Sequence, residues 1–251
     1  MPIKVEICLD GADSAVAAQE GGADRVELCD NLIQGGTTPS LGLVELVRQK
    51  IDIDMMVMIR PRGGDFLYSD FEFAVMHQNI KRLHGLGVDG VVFGLLNSDG
   101  TVDRDRTAEL IDLARPMQVT FHRAFDMSRD PFEALDTLLE LGVERILTSG
   151  QAVSALAGIE LIQELQKRAG DRLTIMPAVG VNAQTGPILV QDGGVRELHV
   201  GSAVKRRIPT GMVYQNHLVS MGGDGEQSEF DRLETSADLV RDFVTAVGRA
   251  V

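Results

Sequence analysis

The sequence predicts a closed (β/α)8 barrel built as one domain. Three observations carry this. The chain has 251 residues, the size of one such barrel at roughly 250. Short β-branched runs alternate strictly with helical segments, which calls for a parallel sheet. There are eight such units in order. An open doubly wound sheet is the alternative, but no GxGxxG fingerprint follows the first strand. No composition shift marks a domain boundary, so 1–251 reads as a single barrel.

The elements follow in order. Strand one is Lys4–Cys8, and a helix over Asp13–Glu20 follows with Asp13 as its cap. Strand two is Arg25–Cys29. The next helix, Pro39–Gln49, is capped by Thr38 and opens on Pro39, where a missing N–H costs nothing. Strand three is Met55–Arg60. The helix over Asp70–Gly85 carries Phe73, Met76, Ile80 and Leu83 at three-to-four spacing, one buried stripe. Strand four is Gly90–Phe93, then a helix Asp103–Ala114. Strand five is Gln118–His122. Asp130 and Pro131 open a helix that runs to Leu141 and stops at Gly142. Strand six is Arg145–Thr148, with a helix over Val153–Arg168. Strand seven is Leu173–Val179, with a helix over Ala183–Gln191. Strand eight is Glu197–Val200. Gly222–Ser228 reads as a glycine-rich loop, and Ser236–Val247 as the closing helix.

Net charge is -13. A field of that sign repels nucleic acid and anionic membrane surfaces, which sets both aside as partners. No apolar run approaches the ~20 residues that span a bilayer. The N-terminus reads as a first strand and not as a secretion signal. With two cysteines, Cys8 and Cys29, the expectation is a cytoplasmic protein with free thiols.

Strands one and two echo each other as Val5-Glu6-Ile7-Cys8 and Val26-Glu27-Leu28-Cys29. Side chains alternate along a strand. The apolar set should meet the helices and the Glu/Cys set should point into the barrel. Two thiols at the carboxyl mouth of neighbouring strands suit a soft ion such as Cu(I); buried cysteine also serves as a small hydrophobe. No third and fourth ligand stand at zinc spacing. Interior glutamates need partners, and Arg60 and Arg62 offer them, as an ion-pair layer or as a pocket for an anion.

Active sites of such barrels lie where strands run into the following helices. Those junctions hold Gly35-Gly36, Arg60-Pro61-Arg62-Gly63-Gly64, His122-Arg123-Ala124-Phe125-Asp126, Ser149-Gly150, Gly180 and Gly201-Ser202. Gly180, Gly201 and Ser202 suit a phosphate by backbone donation, with Ser149, Arg62 and Arg123 as further ligand-binding candidates. His122 is the candidate for proton transfer, titrating near neutrality. Glu27, Arg60, His122 and Asp126 are the catalytic candidates of an enzyme acting on a small phosphorylated or carboxylated metabolite. His199 reads as a satisfied strand histidine, and Met55, Met56 and Met58 as packing. Strand six lacks the Schiff-base lysine of aldolase-like barrels, and no motif for an organic cofactor is evident.

The strings GGADRVELC at 21–29, QGGTTPS at 34–40, MIRPRGGDFLYSD at 58–70, VTFHRAFDM at 119–127 and ERILTSG at 144–150 resemble the copper homeostasis protein CutC family. With the C-terminal part, the resemblance spans nearly the whole chain. It implies a (β/α)8 barrel, a cytoplasmic location, a homo-oligomer, often a dimer, and a role in copper tolerance. It implies that Cys8 and Cys29 match the proposed Cu(I) ligands of animal members. The strand-seven loop departs from the family pattern: Ala178-Val179-Gly180-Val181 stands where relatives are richer in glycine.

Overall fold

The computed structural model describes residues 3–219 and 230–248. Eight parallel strands form the barrel: β1 (Lys4–Leu9), β2 (Arg25–Leu28), β3 (Asp54–Met58), β4 (Gly90–Phe93), β5 (Gln118–Phe121), β6 (Arg145–Thr148), β7 (Thr174–Pro177) and β8 (Glu197–Val200). Their order is β7-β6-β5-β4-β3-β2-β1-β8. Seven ladders are therefore laced. β7 and β8 lie side by side, but among the described residues no ladder joins them. This place is the seam of the barrel.

Helices α1 (Ala12–Glu20), α2 (Leu41–Arg48), α3 (Asp70–Leu83), α4 (Arg104–Ala114), α5 (Pro131–Leu141), α6 (Ile159–Ala169), α7 (Thr185–Gln191) and α8 (Ala237–Ala246) surround the strands. The outward faces of β1 and β2 (Val5, Ile7, Val26, Leu28) pack with Met76, Ile80, Leu110 and Leu138 of the helices in one continuous core. Such burial is the main stabilising term of the fold. Ser69 caps α3 by accepting from Glu72 N, while Glu72 accepts from Ser69 N. This reciprocal pair satisfies two otherwise unbonded donors. Phe73, at the edge of the predicted stripe, is only half-buried and lies under Arg106, 5.0 Å away.

Several helix starts differ from the expectation, among them α7, which begins at Thr185 rather than Ala183. Gly11, not Asp13, takes the cap position of α1, and Asp13 lies in its first turn, where a carboxylate is favoured by the helix dipole. Ser40, not Thr38, caps α2 by accepting from Leu43 N. The Thr38 hydroxyl is committed elsewhere: it accepts from Arg60 N at 2.8 Å and donates to Arg60 O at 3.2 Å. α6 begins at Ile159 rather than Val153. The chain first folds back on the end of β6, so tightly that a Cβ on Gly158 would fall 2.1 Å from Ser149 O.

A two-stranded antiparallel hairpin, β9 (Lys205–Pro209) and β10 (Asp231–Thr235), was not foreseen. It follows β8 and stands beside the barrel mouth. The predicted loop Gly222–Ser228 lies outside the described residues. No helix among the described residues is long and apolar enough to cross a membrane.

Candidate metal centre and mouth cavity

The interior of the barrel is ionic at β1, β2 and β8. Register sets Glu6 opposite Arg25 and Cys8 opposite Glu27, and Glu6 opposite His199. All five side chains point inward, as alternation requires. Arg25 is the hub. Its Nε donates to Glu6 at 2.5 Å and its Nη2 to Glu197 at 2.5 Å. The same Nη2 lies 3.3 Å from Met176 Sδ on β7. One guanidinium thus touches residues on both sides of the seam. Arg145 fills the neighbouring space, donating to Gln118 Oε1 at 2.6 Å and Thr120 Oγ1 at 3.1 Å. Gly90 keeps room for Met56, whose Cε would lie 2.2 Å from any Cβ there.

Above this layer, Cys8 Sγ and Cys29 Sγ stand 4.0 Å apart. The two residues are staggered along the barrel, since Cys8 pairs with Glu27 and Cys29 follows the end of β2; the side chains close the gap. Their surroundings differ. Cys8 is half-buried and lines the mouth cavity. Cys29 is fully buried beside Met56 and Met58. The loop after β2 covers it: Gly36 holds φ +88, and a Cβ there would lie 3.1 Å from Cys29 Sγ. Only glycine takes that backbone angle at no cost and leaves the sulfur its space.

His199 completes the cluster. One ligand atom each from Cys8, Glu27 and His199 lie within 4.8 Å of one another. His199 Nδ1 is 2.7 Å from Glu6 Oε1, and Nε2 is 3.8 Å from Glu27 Oε2. Burial alone would raise Glu6, but Arg25 and His199 outweigh it and hold the carboxyl well below its ordinary range. An ionised Glu6 can only accept, so Nδ1 carries a hydrogen, and Nε2 is the nitrogen that can turn to a metal once its own proton has left.

The charges of the cluster are interlocked. A hydrogen bond from Cys29 draws the Cys8 thiol well below its usual value, helped by His199 and Lys205 and opposed by burial. The same contact, with burial, pushes the Cys29 thiol up. Burial and the neighbouring Cys8 charge push Glu27 well above the carboxylate range. His199 is lowered by burial but raised more by Glu27, Cys8 and Glu6, so it lies above an ordinary histidine. These shifts favour charge on Cys8 and His199 and a proton on Cys29 and Glu27.

The other expected site residues do not join it. Arg60 donates to the carbonyls of Gln34 (2.6 Å), Gly36 (2.8 Å) and Gly64 (2.9 Å). It is a clamp on the glycine loops and not a partner of Glu27. Arg62 pairs with Glu72 and Asp65 on the outer side of the same loop. The interior partners of the glutamates are Arg25 and His199 instead. Asp126 accepts from Thr148 Oγ1, both the N–H and the hydroxyl of Ser149, and Gln151 N, and pairs with Arg123. It latches the β5 and β6 loops together, and Ser149 is consumed in that latch.

His122 is buried against Phe66, and its Nδ1 accepts from Ala124 N. Burial, with Arg60 and Arg123 nearby, pushes it down to about 3, so it does not titrate near neutrality as expected. Its Nε2 meets no partner among the described residues. Glu27, Arg60, Arg62, His122 and Asp126 therefore surround no common pocket. Of that expected acid/base set, Arg123 alone lines the mouth cavity, a space of about 1310 Å³ that also meets Cys8, His199, Gly180, Gly201 and Ser202.

His199 is the residue that the sequence reading passed over. The available signal was the spacing Glu197-x-His199 on the last strand, which puts an acid and an imidazole on one inward face.

The CutC family model matches residues 3–204. A copper homeostasis protein cutC homolog of Mus musculus is 46% identical over 237 residues, covering 94% of this chain and 86% of that protein. A CutC family protein of Chromobacterium violaceum is 47% identical over 246 residues, 98% of each chain. The crystal structure of the putative copper homeostasis protein CutC from Streptococcus agalactiae superposes with a TM-score of 0.75 at 35% identity, covering 79% of this chain and 98% of that one. A thiamine phosphate pyrophosphorylase from Pyrococcus furiosus, at 14% identity and a TM-score of 0.58, shares the barrel fold alone. Matched along residues 3–204 and alike in sequence to animal and bacterial members over nearly its whole length, the chain belongs to the CutC family.

Proposed function

We propose that the chain binds Cu(I) through Cys8 and Cys29, with His199 Nε2 as a third ligand, and so acts as a cytoplasmic copper buffer or carrier. The 4.0 Å separation of the two sulfurs carries this reading, with the His199 imidazole grouped beside Cys8. At a metal–sulfur bond of about 2.3 Å, that separation corresponds to a sulfur–metal–sulfur angle of about 120°. Such an angle fits three ligands in a plane, and thiolate with imidazole is a donor set for a soft monovalent ion. The names of the mouse and Streptococcus agalactiae relatives point the same way.

The local charges suit capture. Cys8 is the ready thiolate at the cavity. Cys29 loses its proton as the ion binds, and a neutral Glu27 adds no third negative charge beside the sulfurs. An enzymatic alternative would rest on Cys8, Glu27 and His199 beneath the cavity, since the wider acid/base set is dispersed. The dimer implied by the resemblance is part of the same reading. Exposed Met212, Val213, Tyr214 and Leu218 are apolar surface of the kind a second copy would cover.

The test is an anaerobic Cu(I) titration against a competing chromophoric chelator. One tight equivalent is expected in the wild type and none in the Cys8→Ala/Cys29→Ala double variant. Unchanged stoichiometry in the double variant would sink the proposal.

A further inference from the structure

The mouth cavity has a second chemical face, independent of the sulfurs, at the seam between β7 and β8. Along the laced part of the barrel, an N–H just past a strand often extends the ladder. Cys29 N donates to Leu9 O, Ile59 N to Val92 O, His122 N to Phe93 O and Ala178 N to Thr148 O. Past the seam this stops. Among the described residues, the N–H groups of Val179, Gly180 and Val181 and of Gly201, Ser202 and Ala203 donate to no acceptor within the protein. Yet all six residues line the one cavity. Main-chain donors in a folded protein are normally spent, and six residues with unspent N–H groups line this one space, which suits an acceptor-rich ligand.

A cation stands with them. Lys205, half-buried at the start of β9, lines the same cavity; it forms no ion pair within 4 Å among the described residues, and its charge is felt by Asp10 of the same lining. Two arginines of the hairpin are paired, Arg207 with Asp231 and Arg232 with Glu234, and Arg206 does not line the cavity. The loop also keeps an unfavourable backbone to present its donors: Val179 holds φ +73 and Gly180 φ +72. A β-branched residue in that region is a genuine outlier, and such strain persists where the surroundings impose it.

We propose that the seam loops bind a phosphate group, held by the open N–H groups of Gly180, Val181, Gly201, Ser202 and Ala203 and by the Lys205 ammonium. Several backbone donors and one cation match the three terminal oxygens of a phosphate monoester or free phosphate. The cavity, at about 1310 Å³, is far larger than a phosphate. An ester would lay its organic body over Cys8 and His199, whereas free phosphate would use the seam alone.

The experiment is a titration of the full chain, isotopically labelled, with inorganic phosphate at constant ionic strength, read from the Gly180 and Gly201 amide signals. Glycerol 3-phosphate and glycerol run in parallel. A saturable shift with phosphate, weakened at least tenfold in Lys205→Glu and restored in Lys205→Arg, is the expected result. Tighter binding of the ester identifies a phosphorylated metabolite; equal binding identifies free phosphate. A linear response, or a saturable one that Lys205→Glu leaves intact, overturns the proposal. The Cys8→Ala/Cys29→Ala variant should bind phosphate as the wild type does, so the copper reading and this one fail separately.

Discussion

His199 Nδ1 lies 2.7 Å from Glu6 Oε1, and this contact between the last and first strands of the barrel fixes which imidazole nitrogen faces the sulfurs. Orienting partners of this kind typically change metal affinity by about 10–100-fold when removed. His199→Ala is expected to weaken Cu(I) binding by at least that range while keeping one equivalent. Glu6→Gln should give a smaller loss, because the amide still accepts from Nδ1–H. Competition titrations of both variants decide this; a Glu6→Gln loss equal to that of His199→Ala would mean that Glu6 does more than orient.

The two thiols should differ in reactivity. Cys8 is open to the cavity and held as a thiolate, whereas Cys29 is buried and held as a thiol. Iodoacetamide should modify Cys8 alone, with a rate already near its plateau at neutral pH. Cys29→Ala removes the hydrogen bond that lowers Cys8, so the plateau should move toward the usual thiol value near 8.5. Peptide mass mapping across pH 5–10 reads both effects.

Arg25 joins the buried Glu6 and the partly buried Glu197. Breaking a buried pair by removing one partner typically costs about 3–5 kcal/mol. Arg25→Met should therefore lower stability in denaturant by about that amount. Adding Glu6→Gln and Glu197→Gln should recover part of it, because the two carboxylates left without Arg25 are then gone, while the buried Arg145 loses their favourable charge.

His122 gives stability a pH dependence of known sign. Its folded value, pushed down to about 3, lies below the unfolded value near 6.5. Below pH 6.5 the unfolded chain takes up the proton first, so stability falls as pH drops from about 6.5 toward 3, by at most about 1.4 kcal/mol per pH unit. His122→Gln should flatten that part of the curve. The loss from Glu6, whose carboxyl is held low, begins only below the unfolded glutamate value near 4.3 and should persist in the variant.

Val179→Gly tests the strain in the seam loop. Relief of a left-handed valine is worth about 1–3 kcal/mol, offset by about 0.5–1 for the extra freedom of glycine in the unfolded chain. A net gain of about 1 kcal/mol in unfolding free energy is expected. A loss would mean that the valine side chain contributes more by packing than its backbone costs.

The barrel was legible because periodicity and β-branched runs are local signals: β4, β6, β8 and α5 fall on their expected residues. The inward Glu/Cys face followed from alternation alone. What stayed hidden depends on contacts far apart in sequence. Arg25 serves Glu197 from 172 positions away, and nothing in the local string RVEL distinguishes it from a strand-end arginine. Arg60 and Asp126 looked catalytic because they stand at strand ends, yet the hydrogen bonds they make hold neighbouring loops. The β9–β10 hairpin escaped because paired residues such as Pro209 and Asp231 stand far apart in sequence, so its two strands carry no short-range signal.

At the seam the barrel is fastened by a side chain, since Arg25 reaches Met176 on one bank and Glu197 on the other while no backbone ladder among the described residues spans them. A hoop stitched in that manner has one place where its girth can change without any main-chain bond being broken. That place lies directly under the cavity. Spreading there would enlarge the mouth by sliding β8 and the hairpin away from β7, while the seven laced joints keep their shape. Amide hydrogen exchange should accordingly be fastest, within the barrel wall, on the two banks of this joint.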